Sequence, residues 1–319
     1  MYYKLFAHNI PVKGKVQSVI YNLQNSKLHF IPNSFLFVLE SLKTQTVQEI
    51  KSNFPNKDER CIINEYFEFL EKNDLGFYTE EIEEYPDLDL TWDSPNTIIN
   101  AIVEYDFNHK AYDVLSLVNG LDNLMCFHIE FRLKNVTLED LIALRICLHD
   151  KVFRSVNLFI EYNSKLKNKD FYEFYSMTQK IDNIIVYNVL SETTMQNENP
   201  KIQYVVGDIF SDDNYRFPTD HYIISVKYFT EAQKFHPFYN KKVCIDYEGN
   251  IKNNIRFLKN FGNVNSSDLK AVIQSHEFQV LWHACPDKVI DYKDDELRYC
   301  KFYTDNLELL PNGLFKVAK

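Results

Sequence analysis

"TIINAIVEYDFNHKAYDVLSLVNGLDNLMCFHIEFRLKNVTLEDLIALRICLHD", residues 97–150, alternates two hydrophobic rhythms. Residues 97–107 and 126–133 concentrate Ile, Val, Phe and Tyr over strand-like lengths, whereas 110–124 and 137–150 repeat apolar residues at helical spacing. Thr137 stands where an N-cap accepts hydrogen bonds from the free amides of a first helical turn. The alternation continues with a strand over 155–163, a helix over 169–181 and a strand over 181–189; a further strand, 201–209, follows the loop 191–200. Strands separated by helices of this length form right-handed βαβ units around a largely parallel sheet. Four or more such units predict an α/β fold built as an incomplete (β/α) barrel. Its candidate chemistry lies at the strand C-termini, where the loops "NHK", "KNV", "NSKLKNK" and "LSETTMQ" emerge.

Working outward, the 319 residues suffice for two or three domains, and a composition 45% hydrophobic and 25% charged is that of a globular chain. A net charge of −10 disfavours nucleic-acid binding, which draws its affinity from Lys and Arg on phosphates. Only 7 glycines are present, and neither a dinucleotide fingerprint nor a phosphate loop occurs, so no nucleotide cofactor is expected. No apolar run approaches membrane-spanning length, and "MYYKLFAHNIPVKG" lacks the pattern of a signal peptide, so a cytoplasmic chain without membrane contact is expected. The 6 cysteines include no Cys-x-x-Cys pair and read most simply as free thiols in the core.

Residues 1–90 predict a separate winged-helix-like α+β domain. Two strand-like runs, 16–23 and 27–31, are joined by the turn signal "QNS". Ser34 is placed to cap a helix "FLFVLESLK", and "TVQE" at 46–49 is a capping box opening a second helix. In "KDERCIINEYFEFLEKNDLGF", Ile62, Ile63, Tyr66, Phe67, Phe69 and Leu70 recur at helical spacing, with Glu65, Glu68 and Glu71 outward. More Glu than Lys or Arg on this helix argues against docking in a DNA groove. The stretch 80–96, acidic and carrying two prolines, reads as an exposed linker.

Barrel residues with catalytic chemistry are few. His109 and His128 lie near the sheet, but lone histidines are more often packed or exposed than ligands. The strand-end carboxylates Glu104, Asp106, Glu130 and Glu161 could supply an acid–base pair, although acidic strand ends are common in α/β domains.

Two stretches resemble a known family. "SVIYNLQNSKLHFIPNS" (18–34), the Leu-rich helix after it, "TVQEI" and a helix ending "FLEKNDLGF" resemble the PqqD-like precursor-recognition element of ribosomal-peptide maturation systems. "FYNKK", "IDYEGNIKN", "FGNV", "LW" and "ELRY", all within 226–319, resemble the C-terminal SPASM domain of peptide maturases in grasp-with-spasm (graspetide) cassettes. The resemblance implies three parts: a peptide-recognition element over 1–90, a degenerate radical-SAM-type partial barrel over 91–225, and a SPASM-like domain over 226–319. It implies a precursor leader peptide added as a strand to a sheet edge, with Leu28, His29, Phe30 and Ile31 on the strand and Ile63, Tyr66 and Phe67 on the third helix. An ATP-grasp ligase would be the partner.

The chain departs from the family where iron would bind. Phe238, Asn254, Tyr292 and Asp295 stand at positions the family gives to cysteine; Cys300 persists. No cysteine follows the first barrel strand until Cys126, so the Cys-x-x-x-Cys-x-x-Cys of a radical enzyme is missing. The implied protein is a pseudoenzyme with neither cofactor nor metal, binding the leader and presenting the peptide to the ligase. Three alternatives remain: an enzyme of the lineage using a metal or an acid–base pair; zinc on Cys244, Cys285, Cys300 and either His236 or His283; and a regulatory homodimer formed through the winged-helix unit.

Overall fold

The computed structural model describes residues 1–190, 199–211 and 222–318. The chain divides into two compact units. One comprises Met1–Asp93, Pro218–Phe238 and His283–Lys319, and the other Ser94–Phe217 and Tyr239–Trp282. Residues 1–90 therefore share a unit with part of 226–319, while "FYNKK" from Tyr239 onward, "IDYEGNIKN" and "FGNV" belong with the sheet.

The first unit starts with β1 (Tyr2–Leu5), β2 (Asn9–Lys13), β3 (Gln17–Asn22) and β4 (Lys27–Pro32), then α1 (Asn33–Ser41), α2 (Val47–Ser52), α3 (Lys57–Lys72) and β5 (Gly76–Thr79). β2, β3 and β4 form an antiparallel sheet in that order, and β1 pairs separately with β5. Thr46 and Glu49 close the expected capping box of α2, and Asn56 caps α3. α1 has no side-chain cap; the Ser34 hydroxyl instead lies 2.7 Å from that of Tyr66. Two apolar clusters hold the unit. Tyr3, Ile31, Phe35, Leu39, Ile63, Phe67 and Leu70 fill the first. The second joins Val12, Val19 and Tyr21 to Tyr228, Phe229, Tyr299 and Cys300, which stitches distant parts of the chain into one core.

Gly76 pairs with Leu5 in the β1–β5 ladder. A Cβ there would collide with the Lys4 carbonyl oxygen and the Tyr3 ring. Gly76→Ala is therefore expected to cost about 1–3 kcal/mol, the usual penalty of forcing atoms into a packed site, read as a lower urea midpoint.

The second unit carries β6 (Asn100–Asp106), α4 (Val114–Asn123), β7 (His128–Lys134), α5 (Leu138–Leu148), β8 (Ser155–Glu161), α6 (Asn168–Ser176), β9 (Ile181–Val189) and β10 (Ile202–Val206). α7 (Val226–Ala232) belongs to the first unit; β11 (Lys242–Ile245), β12 (Ile251–Lys252), α8 (Leu269–Gln274) and α9 (His276–Gln279) return to the second. The hairpin β13 (Leu307–Leu309) and β14 (Phe315–Val317) completes the first unit. Asp113, Thr137 and Asp268 cap α4, α5 and α8. Of the loop 191–200, residues 191–198 lie outside the described residues.

The sheet is seven-stranded, in the order β10-β9-β8-β7-β6-β11-β12; all pairs are parallel except the β11–β12 hairpin. The chain is thus α/β, with a central, mostly parallel sheet. From β6 to β10 the order never reverses, and right-handed crossovers without reversal put every helix on one face. α4 packs on α5, and α5 on α6. Alternate side chains of β6, β7 and β8 (Ala101, Val103 and Tyr105; Ile129, Phe131 and Leu133; Val156, Leu158 and Ile160) are buried toward these helices. The opposite face is the one a barrel would turn inward.

Candidate functional site

That opposite face is polar. Strand register aligns Cys244, Ile102, Glu130, Asn157 and Asn183 in one row across five strands, and Glu104, Arg132, Phe159 and Ile185 in the next. Arg132 is 3% exposed. Its Nε donates to Glu130 Oε1 at 2.7 Å, its Nη1 lies 3.5 Å from Glu104 Oε1, and its guanidinium stacks 4.0 Å from the Phe210 ring centre. Glu130 and Arg132 are two residues apart on one strand, so the pleat turns both to the same face.

Burial dominates the electrostatics. It pushes Glu104 from the ordinary 4.5 to about 7, the attraction of Arg132 only partly opposing it. Lys242 sits in the same buried field and is pushed down, chiefly by burial. Cys244 is pushed up, again by burial, so it is held as a thiol and not a thiolate. Burial also raises Asp246, but its contacts outweigh that: Lys252 at 2.8 Å and the Asn250 backbone N–H at 2.9 Å bring it below the usual carboxylate range.

Toward the strand C-termini the face becomes aromatic. Lys134 lies 4.7 Å from the Tyr247 ring centre, and Tyr187 packs edge-on to Phe210 at 5.5 Å. The Tyr187 and Tyr247 phenols are both pushed above their usual value, mainly by burial, and so act as donors at neutral pH. Asn135 and Asn188 adopt left-handed backbone angles just after or within the strand ends and aim their amides at neighbouring carboxylates, Asp106 at 2.8 Å and Glu161 at 3.1 Å. Among these groups Glu104 is the one poised to exchange a proton near neutrality.

The sequence-derived candidates fare differently. Glu104 and Glu130 converge on Arg132, whereas Asp106 and Glu161 are held by the strand-end asparagines. His128 is on the polar face, half-buried, and His109 is exposed, 3.5 Å from Glu248. Sequence reasoning overlooked Arg132, Lys242, Asp246, Tyr187 and Tyr247. The Glu-x-Arg spacing of 130 and 132 was the one available signal.

In the first unit β4 is an outer strand, with no strand paired to its far edge among the described residues. Ile31, Ile63 and Phe67 are core residues there, each under 5% exposed. Leu28 packs beneath the sheet against the second cluster. His29 lies 6.2 Å from the Phe69 ring, and burial lowers its pKa. Tyr66 stacks on Phe35 at 4.1 Å, and Phe30 is 48% exposed. His29, Phe30 and Tyr66 thus remain available to a partner, and Phe69 joins them.

Packed side chains fill the positions that the resemblance assigns to lost cysteines. Phe238 packs edge-on to Phe302 at 5.8 Å. Asn254, in the other unit, is buried and accepts from the Arg256 backbone N–H. Tyr292 stacks on Tyr303 at 3.7 Å and donates to Asp305 at 2.6 Å, and Tyr303 donates to Asp295 at 3.1 Å. Cys285, Cys300, His236 and His283 belong to one unit and Cys244 to the other. All six cysteines are free thiols, and the described residues contain no group of three or more His, Cys, Asp or Glu that could hold a metal ion. Nor does any helix among them have the length and apolarity to cross a membrane. No family model matches this chain, and a search of the curated proteins returns no significant match.

Proposed function

We propose that this chain binds the leader of a ribosomally made precursor peptide and presents the remainder to an ATP-grasp ligase. The observation that carries the reading is the three-stranded sheet followed by three helices, with β4 unpaired at its edge and His29, Phe30 and Tyr66 accessible beside it. An open strand edge offers backbone N–H and C=O groups to an extended peptide, and the flanking rings select its side chains. Holding the leader raises the effective concentration of the core segment at the ligase.

Deleting residues 1–90 cannot test this, because they share a core with 222–238 and 283–318. Phe30→Asp can: Phe30 is half-exposed, and a carboxylate on a strand edge repels an incoming strand. A precursor peptide encoded beside this chain is expected to bind in calorimetry, and Phe30→Asp to weaken it at least tenfold. Val16→Asp, at an 85% exposed position off β4, should leave binding unchanged. Equal binding by native chain and Phe30→Asp would remove β4 from the account.

A second reading is an enzyme that modifies the bound peptide by acid–base chemistry. It rests on Glu104, held near 7 beside Arg132. A mass change in peptide incubated with this chain alone, lost in Glu104→Gln, would favour it.

A further inference from the structure

α5 is apolar on two sides. Leu141, Leu144 and Leu148 are its buried side. Leu138, Ile142 and Ile146, four residues apart and so stacked along one face, are 44%, 40% and 68% exposed. A helix apolar all round belongs inside something larger, yet this stripe is open to solvent. The patch widens on both flanks. Arg145 Nη1 lies 2.8 Å from Met177 Sδ, which sets the exposed Met177 beside the stripe at the α6 end. Almost opposite on the helix, Cys147 Sγ lies 3.9 Å from the carbonyl of Leu115 on α4, another exposed apolar residue.

Two charges border the stripe. Glu139 and Arg145 stand three residues before and after Ile142, so the helical period sets them about 60° to either side of it. Among the described residues neither has an oppositely charged side chain within ion-pair distance. Their neighbours are spoken for: Asp140 by Thr137, His149 by Asp150 and Lys151 by Asp122. An open apolar stripe with an unmatched acid on one flank and an unmatched base on the other has the makings of a self-complementary surface.

We infer that this face is a homodimer interface, in which α5 of two copies pack in parallel about a two-fold axis running along the helices. The charges choose the orientation. About such an axis one flank of each helix meets the opposite flank of its mate, so Glu139 of each copy approaches Arg145 of the other, twice. In an antiparallel pair each flank meets itself, and Glu139 would approach Glu139. The parallel pair also brings the α4 flank, with Leu115, over the α6 flank of the other copy, with Met177, and closes the apolar stripe on itself. The inference does not rest on leader binding at β4, and it places the interface in the sheet unit and not in the winged-helix-like part.

The test is the mass of the full chain in solution, by light scattering at about 100 µM, where a micromolar Kd leaves most of it dimeric. The native chain is expected to be a dimer. Ile146→Glu should weaken it at least tenfold by carrying an unpaired charge into the apolar contact. Glu139→Arg should weaken it too, by setting an arginine against Arg145 of the other copy, and adding Arg145→Glu should restore it. That double reversal puts both charges at the wrong ends of the helix dipole, so recovery cannot come from a steadier helix. Should Ile146→Glu lose its fold, followed through the buried Trp282 in urea, Ile142→Cys gives a second reading. Position 142 faces its own copy across the axis, so that variant is expected to be joined to itself by a short bis-maleimide, with the link located by mass spectrometry. A monomeric native chain, which would leave the stripe to a different protein, a dimer indifferent to the charge reversals, or Ile142→Cys chains that stay unlinked at 142 would overturn the inference.

Discussion

Arg132→Met is expected to destabilise the sheet unit by about 3–5 kcal/mol at neutral pH, the usual cost of removing one partner from a buried ion pair. The variant keeps the apolar bulk of the stem and deletes only the guanidinium. Glu130, 28% exposed, then loses its 2.7 Å partner, and Glu104, 14% exposed, its 3.5 Å partner. Lys242 stays in the same field and supplies part of the missing positive charge. The stacking of Arg132 on Phe210 goes too, worth about 0.5–2 kcal/mol. The two tryptophans allow a clean measurement, since Trp92 is in one unit and Trp282, buried, is in the other. With Trp92→Phe as background, Trp282 fluorescence in urea reports the sheet unit. Adding Glu130→Gln to Arg132→Met should recover a substantial share of the loss, because it removes one stranded charge. A loss below 1 kcal/mol would mean that water reaches these carboxylates and the polar face is open.

The sequence disclosed the sheet wherever pairing is local. β6 to β9 each show dense β-branched and aromatic residues, and two of the three helices between them, α4 and α5, start at Asp113 and Thr137, whose side chains form the caps. What stayed hidden depends on partners distant in the chain. β1 acquires its strand character by pairing with β5, and nothing in "MYYKLFAHNIPVKG" names that partner. β11 joins β6, with Lys242 opposite Asn100, so Lys242 and Asp246 reach the Glu104 region through a pairing that no local pattern records. The acidic stretch 80–96 is largely exposed and contains the boundary between the two units, as a linker should be; its charge did not disclose that Leu88, Leu90 and Trp92 are half-buried within it. Of the strand-end carboxylates, the sequence located all four but not their grouping. Two face an arginine and two face asparagines, and that grouping follows from strand register, which no local pattern records.

Glu104→Gln is expected to flatten the pH dependence of the sheet unit's stability between pH 4.5 and 8. Burial raises the carboxyl of Glu104 from 4.5 in the unfolded chain to about 7 in the folded one, so the folded state holds the proton more tightly. The contribution is therefore fully present below pH 4.5 and is lost as pH rises through 7. A difference of that size corresponds to about 3 kcal/mol of stability, reduced to the extent that Arg132 and Lys242 readjust around the anion. Glutamine keeps the shape of the protonated acid and cannot ionise. The native chain and the variant should hence differ by an amount that shifts in the variant's favour by about 3 kcal/mol from pH 5 to pH 8, followed through Trp282 in urea. Asp246 works in the opposite sense: its pKa is depressed, so its contribution is present above the ordinary carboxylate range and is lost only at lower pH, outside the window in which Glu104 titrates. A difference between native and Glu104→Gln chains that stays constant across the window would show that Glu104 is ionised throughout, and with it would fall the acid–base reading of the polar face.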